Sequence, residues 1–386
     1  MMYFGIDGLP LSELRTGVGH YTFELAQALA ALRPADQFEL VSPRPLLPAP
    51  GDESKSETSL PANLCVTEAK TNFLTRHWWS MGLPRYIRQK GIDLFHGTNY
   101  DVPLWKFCAT VLTVHDVSSF VHPQTHTRRS VLRARRRLPF MLRTANAIIA
   151  PSQSVRDEIG EHASFALHKT FVVPEAPRAI FRPRAFGQTS GARKRLGVAD
   201  DFLLFVSTIE PRKNLGVLLA AYEELLRRMN PCPQLVVTGR RGWLTDELVS
   251  RLQASNLKDR VLLTGYVSDD DLCALYASCR IFVYPSLYEG FGLPPLEAMA
   301  CGAPVVASRI PPLVETIEGA AELVPPGDAQ SLARSITALL EDEAKRKHLS
   351  DAGRKRAAQF TWRGAAELTL EVYDEALRRW KKERGC

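Results

Sequence analysis

The chain has 386 residues and a formal net charge of +7, with 45% hydrophobic and 24% charged residues. This is the composition of a globular protein long enough for two domains. No apolar run approaches the roughly 20 residues that span a bilayer. Seven scattered cysteines without a C-x-x-C pair argue against a disulfide framework or a zinc site. The N-terminus lacks the order of a signal peptide, so we expect a cytoplasmic protein.

Short apolar strands alternate with helical patterns, which is typical of parallel sheets in wound α/β layers. In the first half the predicted strands are MYFGID, FELVS, DLFHG, TVLTVHD, NAIIAPS and TFVVP. The proline-rich stretch 42–63 is predicted to be a mobile surface loop. Residues 174–201 break the pattern and are predicted to form an interdomain linker.

The second half repeats the alternation, with predicted strands FLLFVS, QLVVTG, RVLLTG, RIFVYPS, APVVAS and AELVPP. After residue 328 the pattern is helical to the end of the chain. We therefore predict two Rossmann-like domains, residues 1–175 and 176–361, that face one another across a cleft. Ligands in such sheets collect at the carboxyl ends of the strands.

Two motifs of the first half follow predicted strands. In RTGVGHY, Gly17 and Gly19 would let the backbone approach a ligand, and a tight turn without a ligand is a serious alternative. In TVHDVSSF, His115 and Asp116 end a buried strand. A histidine there can hydrogen-bond a substrate, but such a residue is more often satisfied within the protein.

Seven arginines lie between Arg128 and Arg143 in the segment RRSVLRARRRLPFMLR. The segment is predicted either as the solvated face of a helix or as a patch for an anionic lipid or a diphosphate-bearing acceptor. Nucleic acid is not expected as a partner, because no recognised binding motif accompanies the patch.

In STIEPRKNL, residues 207–215, a strand leads through a loop into a helix. Arg212 and Lys213 would then lie beside a helix N-terminus, where an arginine fork and a lysine point charge suit a diphosphate. An ordinary exposed basic pair is the alternative. In VSDDDL we prefer helix capping by Ser268 and Asp271 to a metal site.

The segment EGFGLPPLEAMACGAPVVAS, residues 289–308, predicts a glycine-rich loop, a helix from about Pro294, a turn at Gly302 and a buried strand. Glu289 would lie in the loop and Glu297 in the first turns of the helix. Both carboxylates could face the space above the helix N-terminus.

Together these motifs resemble those of the family-4 retaining glycosyltransferases of the two-domain GT-B type. The resemblance spans nearly the whole chain and rests on RTGVGHYTFELAQAL, TVHDVSSFVHPQ, AIIAPSQSVRDEI, STIEPRKNL, VTGRRGW, TGYVSDDDLCALYASC and YPSLYEGFGLPPLEAMACGAPVVASRIPPLVE. It implies a nucleotide sugar on the C-terminal domain and an acceptor on the N-terminal domain. It also implies that the C-terminal helix, within 362–386, packs back on the first domain.

The resemblance further implies roles for single residues. Glu297 would hydrogen-bond the ribose of the donor, and Glu289 would orient hydroxyls of the transferred sugar. Arg212 and Lys213 would neutralise the departing diphosphate. His115 would contact the sugar near the reacting carbon. The other implied donor-binding positions are Gly17, Gly19, Gly239, Arg240, Tyr266, Val267, Gly290, Phe291, Gly292 and Leu293.

The implied reaction transfers a hexose with retention at the anomeric carbon and without a metal or other cofactor. Many family members carry an arginine where this chain has Ser207 and Thr208, so the charge at the leaving group would rest on Arg212 and Lys213. The EPRKNL motif resembles bacterial mannosyltransferases of surface polysaccharides. GDP-mannose is therefore the preferred prediction for the donor. The predicted acceptor is a saccharide, either free or linked to polyprenyl diphosphate at the inner membrane face.

Other functions stay open at this point. UDP-sugars are alternative donors, and a non-catalytic sugar-nucleotide-binding subunit is the rival from another class. A hydrolase and a sugar-nucleotide epimerase are minor alternatives. A nicotinamide dehydrogenase is disfavoured, because the chain lacks the G-x-G-x-x-G fingerprint.

Overall fold

The computed structural model describes residues 1–47, 60–72, 75–243, 248, 252 and 257–385. The chain divides into two compact units. Unit 1 consists of Met1–Glu175 and Thr361–Cys386, and unit 2 consists of Ala176–Phe360. The chain thus leaves unit 1 after Glu175 and returns to it for its last helix.

Unit 1 is an α/β layer structure. Its described strands are β1 (Tyr3–Asp7), β2 (Gln37–Ser42), β3 (Leu64–Glu68), β4 (Leu94–Gly97), β5 (Ala109–Thr113), β6 (Ala147–Ala150) and β7 (Thr170–Val172). Its described helices are α1 (Gly17–Leu32), α2 (Leu83–Lys90), α3 (Ser118–Val121), α4 (Arg128–Thr144), α5 (Gln153–His162) and, at the end of the chain, α13 (Trp362–Glu383). The strands pair in parallel in the order β3-β2-β1-β4-β5-β6-β7.

Six strands of this sheet were predicted from apolar runs, and all six are confirmed. The prediction missed β3, of sequence LCVTE, which lies at the edge of the sheet. Leu64 is buried, whereas Val66 is 44% exposed. An edge strand with so little buried surface has no apolar run by which to recognise it.

The last helix, α13, packs with α1 on the sheet of unit 1. Leu25 and Leu29 of α1 and Tyr373 of α13 belong to one buried cluster with Phe4 and Phe38. The rings of Phe4 and Phe38 stack with their centroids 4.9 Å apart. Because this cluster needs α13 for one of its walls, the C-terminal helix is part of the hydrophobic core of unit 1.

Unit 2 repeats the layered design. Its described strands are β8 (Phe202–Val206), β9 (Gln234–Thr238), β10 (Val261–Gly265), β11 (Ile281–Tyr284), β12 (Val305–Ser308) and β13 (Glu322–Val324). Its helices with described bounds are α6 (Phe186–Leu196), α7 (Leu215–Arg228), α8 (Asp269–Ser278), α9 (Leu293–Ala300), α10 (Pro311–Ile317), α11 (Ala329–Glu341) and α12 (Glu343–Ala357). The strands pair in parallel in the order β10-β9-β8-β11-β12-β13.

The central strands of this second sheet are buried on both faces, whereas the edge strand β10 is partly exposed. Along β8, Phe202 and Leu204 join one buried cluster, and Leu203 and Phe205 join the cluster on the other face. A parallel strand covered on both faces reads as a continuous apolar run. All six strands predicted for the second half are therefore confirmed, as is the helical C-terminal region.

The linker prediction for residues 174–201 is wrong over much of its length, since helix α6 lies inside it and belongs to unit 2. The polar composition that suggested a linker includes arginines that form ion pairs within unit 2. Three arginines of this segment each contact one of three consecutive aspartates in the first turn of α8: Arg178 with Asp269, Arg184 with Asp270, and Arg195 with Asp271.

Two further findings concern the sequence predictions. Residues 48–59, the centre of the predicted surface loop 42–63, lie outside the described residues. In the part of the chain that the structure describes, no helix is both long and apolar enough to cross a membrane.

Candidate active site

The segment after β11 folds as predicted. Helix α9 begins at Leu293 with Pro294 and Pro295 in its first turn, Gly302 follows with φ +88°, and β12 is buried. Gly292 precedes the helix with φ +101°, and a Cβ atom there would lie 2.4 Å from Leu313 Cδ2. Only glycine fits this position without a shift of its neighbours, so the loop that carries Glu289 has a specified conformation.

Glu289 forms a buried ion pair with Lys213. The lysine Nζ lies 2.7 and 2.8 Å from the two carboxylate oxygens and donates a third hydrogen bond of 3.2 Å to the hydroxyl of Tyr284. Lys213 is 9% exposed and Glu289 is 5% exposed. Burial acts to raise the pKa of Glu289, but Lys213 and Arg212 outweigh burial and hold it below its usual value. Burial, and after it the charge of Arg212, lowers the pKa of Lys213, while Glu289 acts to raise it. The contact of one ammonium with both oxygens of one carboxylate is the geometry of a charged pair.

Arg212 joins this pair to a second carboxylate. Its Nη2 lies 2.8 Å from Glu210 Oε1, and its Nη1 lies 3.6 Å from Glu289 Oε2. Arg212 and Lys213 occupy a short 3-10 turn that ends at Asn214 with φ +56°, immediately before α7. The backbone N–H of Leu287 donates to the carbonyl of Arg212 at 2.9 Å, which joins the loops after β8 and β11.

These contacts correct the alternative of an exposed basic pair. Lys213 is buried, Arg212 has 14% of its side chain exposed, and each cation has a carboxylate partner. The formal charges of the two cations and of Glu210 and Glu289 sum to zero. An anionic ligand would therefore have to exchange partners with the carboxylates rather than meet unpaired cations.

Glu297 lies in a separate ion-pair group of unit 2. Its Oε1 lies 3.6 Å from Arg178 Nε, and Arg178 Nη1 lies 2.5 Å from Asp269 Oδ2. Burial raises the pKa of Glu297 to about 7, because Arg178 offsets the loss of solvation only in part and Asp269 adds to the rise. Glu297 is thus divided between its charged and neutral forms near neutral pH.

The positions that the resemblance places around the nucleotide base lie at the carboxyl ends of β9 and β10. The backbone N–H of Gly239 donates to the carbonyl of Gly265 at 2.9 Å, which brings Arg240 and Tyr266 onto neighbouring loops. Gly239 has φ +136°, and a Cβ atom there would lie 1.9 Å from the carbonyl oxygen of Ser207. Arg240 and Tyr266 are exposed, whereas Val267 is buried.

The loop positions 290–293 differ in what they contact. Phe291 is buried, and its ring packs edge-to-face against Phe360 with centroids 5.6 Å apart. The carbonyl of Phe291 accepts a 3.2 Å hydrogen bond from Thr316 Oγ1. The side chain of Phe291 is thus part of the core, and only its backbone could serve a ligand.

In unit 1, α1 begins at Gly17, as the RTGVGHY motif predicts. A Cβ atom at Gly17 would meet nothing within 4 Å, whereas one at Gly19 would lie 3.0 Å from the carbonyl oxygen of Pro10. Gly19 is therefore explained by close packing within the unit. Gly17 leaves open space over the start of the helix.

His115 lies two residues beyond the end of β5, so the observed strand is shorter than the predicted one. Its Nδ1 lies 3.0 Å from Glu175 Oε1, and its Nε2 lies 2.8 Å from the carbonyl oxygen of Thr98. An ionised Glu175 and the carbonyl of Thr98 both accept hydrogen bonds, so these contacts favour a ring that carries hydrogen on both nitrogens, the imidazolium. Burial acts to lower the pKa of His115, but Glu175 outweighs burial and raises it.

The VSDDDL motif caps a helix as predicted, because Ser268 Oγ accepts a hydrogen bond from the N–H of Asp271 at 3.2 Å. Among the described residues, no group of three or more His, Cys, Asp and Glu side chains is arranged to hold a metal ion.

Two family models match the chain in succession, Glycosyltransferase Family 4 over residues 15–176 and Glycosyl transferases group 1 over residues 191–356. O-antigen chain mannosyltransferase B from Escherichia coli is 30% identical over 371 residues, which cover 94% of this chain and 97% of that protein. The chain belongs to this glycosyltransferase family.

Solved structures agree on the fold. Sucrose-phosphate synthase from Thermosynechococcus elongatus matches with a TM-score of 0.76 at 24% identity, over 97% of this chain and 99% of that one. Anabaena HepE in complex with UDP-glucose matches with a TM-score of 0.76 at 21% identity, over 97% of this chain and all of that one. The two units of this glycosyltransferase are therefore the two Rossmann-like domains of the GT-B fold.

Sequence reasoning missed three charged residues of the glycosyltransferase. Each forms an ion pair with a predicted site residue: Glu175 with His115, Glu210 with Arg212, and Arg178 with Glu297. Glu210 belongs to the quoted motif and could have been singled out. The other two lie where a linker was predicted, and nothing local marks them as partners of residues 60 to 119 positions away in the chain.

The two acceptors around His115 predict its titration. In the intact protein the NMR signal of its ring C–H should titrate with a midpoint above the ordinary histidine value. Glu175→Gln should lower that midpoint by about 1 pH unit or more, because the imidazolium loses its neighbouring carboxylate. The charged form dominates below the midpoint, so any stability it provides is lost as the pH rises through the midpoint.

His115→Gln assigns the signal, and exposed His348 is the internal control, whose curve should be the same in both proteins. A wild-type midpoint at or below the ordinary value, or an unchanged midpoint in Glu175→Gln, would show that the imidazolium assignment is wrong.

Proposed function

We propose that the chain is a retaining mannosyltransferase that uses GDP-mannose to extend a saccharide, free or linked to polyprenyl diphosphate, in the synthesis of a surface polysaccharide. The observation that carries the proposal is the buried pair of Lys213 and Glu289 at the carboxyl ends of β8 and β11. The O-antigen mannosyltransferase that is 30% identical over nearly the whole chain supports the choice of sugar.

Donor binding in this proposal is an exchange of partners. The ammonium of Lys213 makes three hydrogen bonds in the structure, two to Glu289 and one to Tyr284. A diphosphate would replace Glu289 as the main acceptor for Lys213. Hydroxyl groups of the sugar would in turn donate to Glu289, and the ribose hydroxyls would donate to Glu297. Each buried charged group then keeps a hydrogen-bonding partner when the donor arrives, although the diphosphate adds negative charge to the site.

The proposed chemical step is a displacement on one face of the sugar. The bond between the anomeric carbon and the diphosphate oxygen breaks, and the acceptor oxygen forms its bond on the same face. The leaving diphosphate takes the proton of the acceptor hydroxyl. Arg212 and Lys213 stabilise the negative charge that grows on the diphosphate, a contribution that preorganised cations make without a metal ion.

The proposal is tested by incubating the protein with GDP-mannose and with UDP-glucose, each with and without a lipid-linked saccharide acceptor. We expect GDP release that depends on the acceptor and a product with an α-linked mannose. UDP release instead would mean that the donor assignment is wrong. Binding of a nucleotide sugar without any transfer would favour a non-catalytic binding subunit.

Removal of Lys213 tests its part in the chemical step. We expect Lys213→Ala to reduce turnover at saturating donor by on the order of a hundred- to a thousand-fold, because the diphosphate loses a preorganised cation. Steady-state kinetics measure the loss, and near-normal turnover would contradict the proposed role.

A stability control is needed, because Lys213→Ala leaves Glu289 buried without its main partner, which costs about 3 to 5 kcal/mol in other proteins. Lys213→Met combined with Glu289→Gln removes both charges and should unfold at a higher temperature than Lys213→Ala. A melting temperature of Lys213→Ala above the assay temperature shows that its loss of turnover does not come from unfolding, whereas inactivity of the double variant reflects the loss of both residues.

We further propose that α4 docks on an anionic membrane surface. Arg129, Arg133 and Arg136 are exposed on a helix face that also exposes Leu132, at 53%, and Phe140, at 49%. The opposite side of α4 buries Leu138, Met141 and Leu142 in unit 1. A basic face with exposed apolar side chains suits the boundary between lipid headgroups and acyl chains.

The combined variant Arg129→Gln, Arg133→Gln and Arg136→Gln should bind vesicles of anionic phospholipid on the order of a hundred-fold more weakly, because each cation near such a surface adds about 1 kcal/mol. Vesicle sedimentation measures the change. The matched control replaces Arg227, Arg228 and Arg363, whose side chains are 60% to 76% exposed on other helices. Equal binding by both variants would leave α4 as a solvated helix face.

A further inference from the structure

We propose that Arg178 and Asp269 together set whether Glu297 is ionised, and that they thereby make nucleotide binding by unit 2 dependent on pH. This inference rests on the proposed function, in which Glu297 accepts hydrogen bonds from the ribose of the donor. It assigns two positioning residues that act on the ligand through Glu297.

The geometry is that of one cation shared unequally by two carboxylates. Arg178 is 7% exposed, and its guanidinium carbon lies 4.7 Å from the centroid of the Phe181 ring. Its Nη1 is 2.5 Å from Asp269, whereas its Nε is 3.6 Å from Glu297. The shorter contact makes Asp269 the stronger partner, since charge-assisted hydrogen bonds form at the shorter distance.

The surroundings of the two carboxylates strengthen this difference. Asp269 is the first residue of α8, where the helix dipole favours a negative charge, and its side chain is 22% exposed. The side chain of Glu297 is 11% exposed and lies within α9. Asp269 therefore has the closer contact with Arg178, whereas Glu297 has the longer one.

Three other ionisable groups lie at or next to this site on the packed elements: Tyr276, Cys301 and Cys273. Tyr276 of α8 is fully buried, and burial raises its pKa well above the ordinary value, so its phenol stays neutral. Cys301, at the end of α9, has its pKa raised by the thiol of Cys273 and by burial. The thiol of Cys273 lies 3.8 Å from that of Cys301, which lowers the pKa of Cys273. Cys273→Ser therefore serves as a control for thiol titration.

The arrangement predicts opposite effects for two substitutions. Arg178→Met removes the cation, so the pKa of Glu297 should rise and the ionised acceptor should form only at higher pH. Asp269→Asn removes the anion that competes for Arg178. Arg178 can then interact more strongly with Glu297, so the pKa of Glu297 should fall. A general disturbance of packing would not move the titration in two directions.

The experiment measures the dissociation constants of GDP and of 2′,3′-dideoxy-GDP by calorimetry on the full chain at several pH values. Both nucleotides carry the same titrating diphosphate, so the ratio of their affinities isolates the contribution of the ribose hydroxyls. In the wild type this ratio should rise about tenfold from about pH 6 to about pH 8, because Glu297 accepts hydrogen bonds from both hydroxyls only when it is ionised.

We expect the midpoint of that rise to move up in Arg178→Met and down in Asp269→Asn, to stay in place in Cys273→Ser, and to vanish in Glu297→Gln. Arg178→Lys keeps a cation and should lie between the wild type and Arg178→Met. A flat ratio in the wild type, or a shift of both variants in the same direction, would overturn the inference. If neither GDP nor UDP binds at any pH, the proposed function itself is wrong.

Discussion

The ion pair between Lys213 and Glu289 is the constraint around which the site of unit 2 is built. Burial of either charge alone costs several kcal/mol, and a pair is tolerated only when its geometry and its remaining hydrogen bonds are good. The loops after β8 and β11 must therefore meet in one register, which the 2.9 Å bond from Leu287 to Arg212 maintains. The positive φ angles at Asn214 and Gly292 are the local conformations that this register requires.

Charge balance distinguishes the two ion-pair groups of unit 2. Around Lys213, two cations face two carboxylates among the described residues, so the formal charges of these four groups sum to zero. Around Glu297, Arg178 contacts two carboxylates, and these three described groups carry an excess negative charge whenever both carboxylates are ionised. The first arrangement favours exchange of partners with an anion. In the second arrangement the excess negative charge is offset when Glu297 binds a proton, or is stabilised when hydroxyl groups of a ligand donate hydrogen bonds to Glu297.

Apolar runs were enough to predict the buried parallel strands of both sheets, and the EGFGLPPLEAMA segment was enough to place Glu289 and Glu297. Such patterns involve residues close together in the sequence. They do not predict a structure that depends on contacts between residues far apart in the sequence. The polar segment around Arg178 reads as a linker because its partners are aspartates about 90 residues further along the chain. Strand β3 was missed for a different reason: it buries too few apolar side chains to show a recognisable sequence pattern.

Two histidines of unit 1 show why residue type alone does not decide chemistry. His96 is fully buried between the hydroxyls of Tyr373 and Thr113, at 2.9 and 2.7 Å, and burial lowers its pKa to about 3. Hydroxyls can donate or accept, so a neutral ring satisfies both contacts and ties α13 to the sheet. His115 faces the Glu175 carboxylate and a backbone carbonyl, which accept hydrogen bonds, and these partners favour the charged ring. The partners determine the protonation state, and they become known only from the fold.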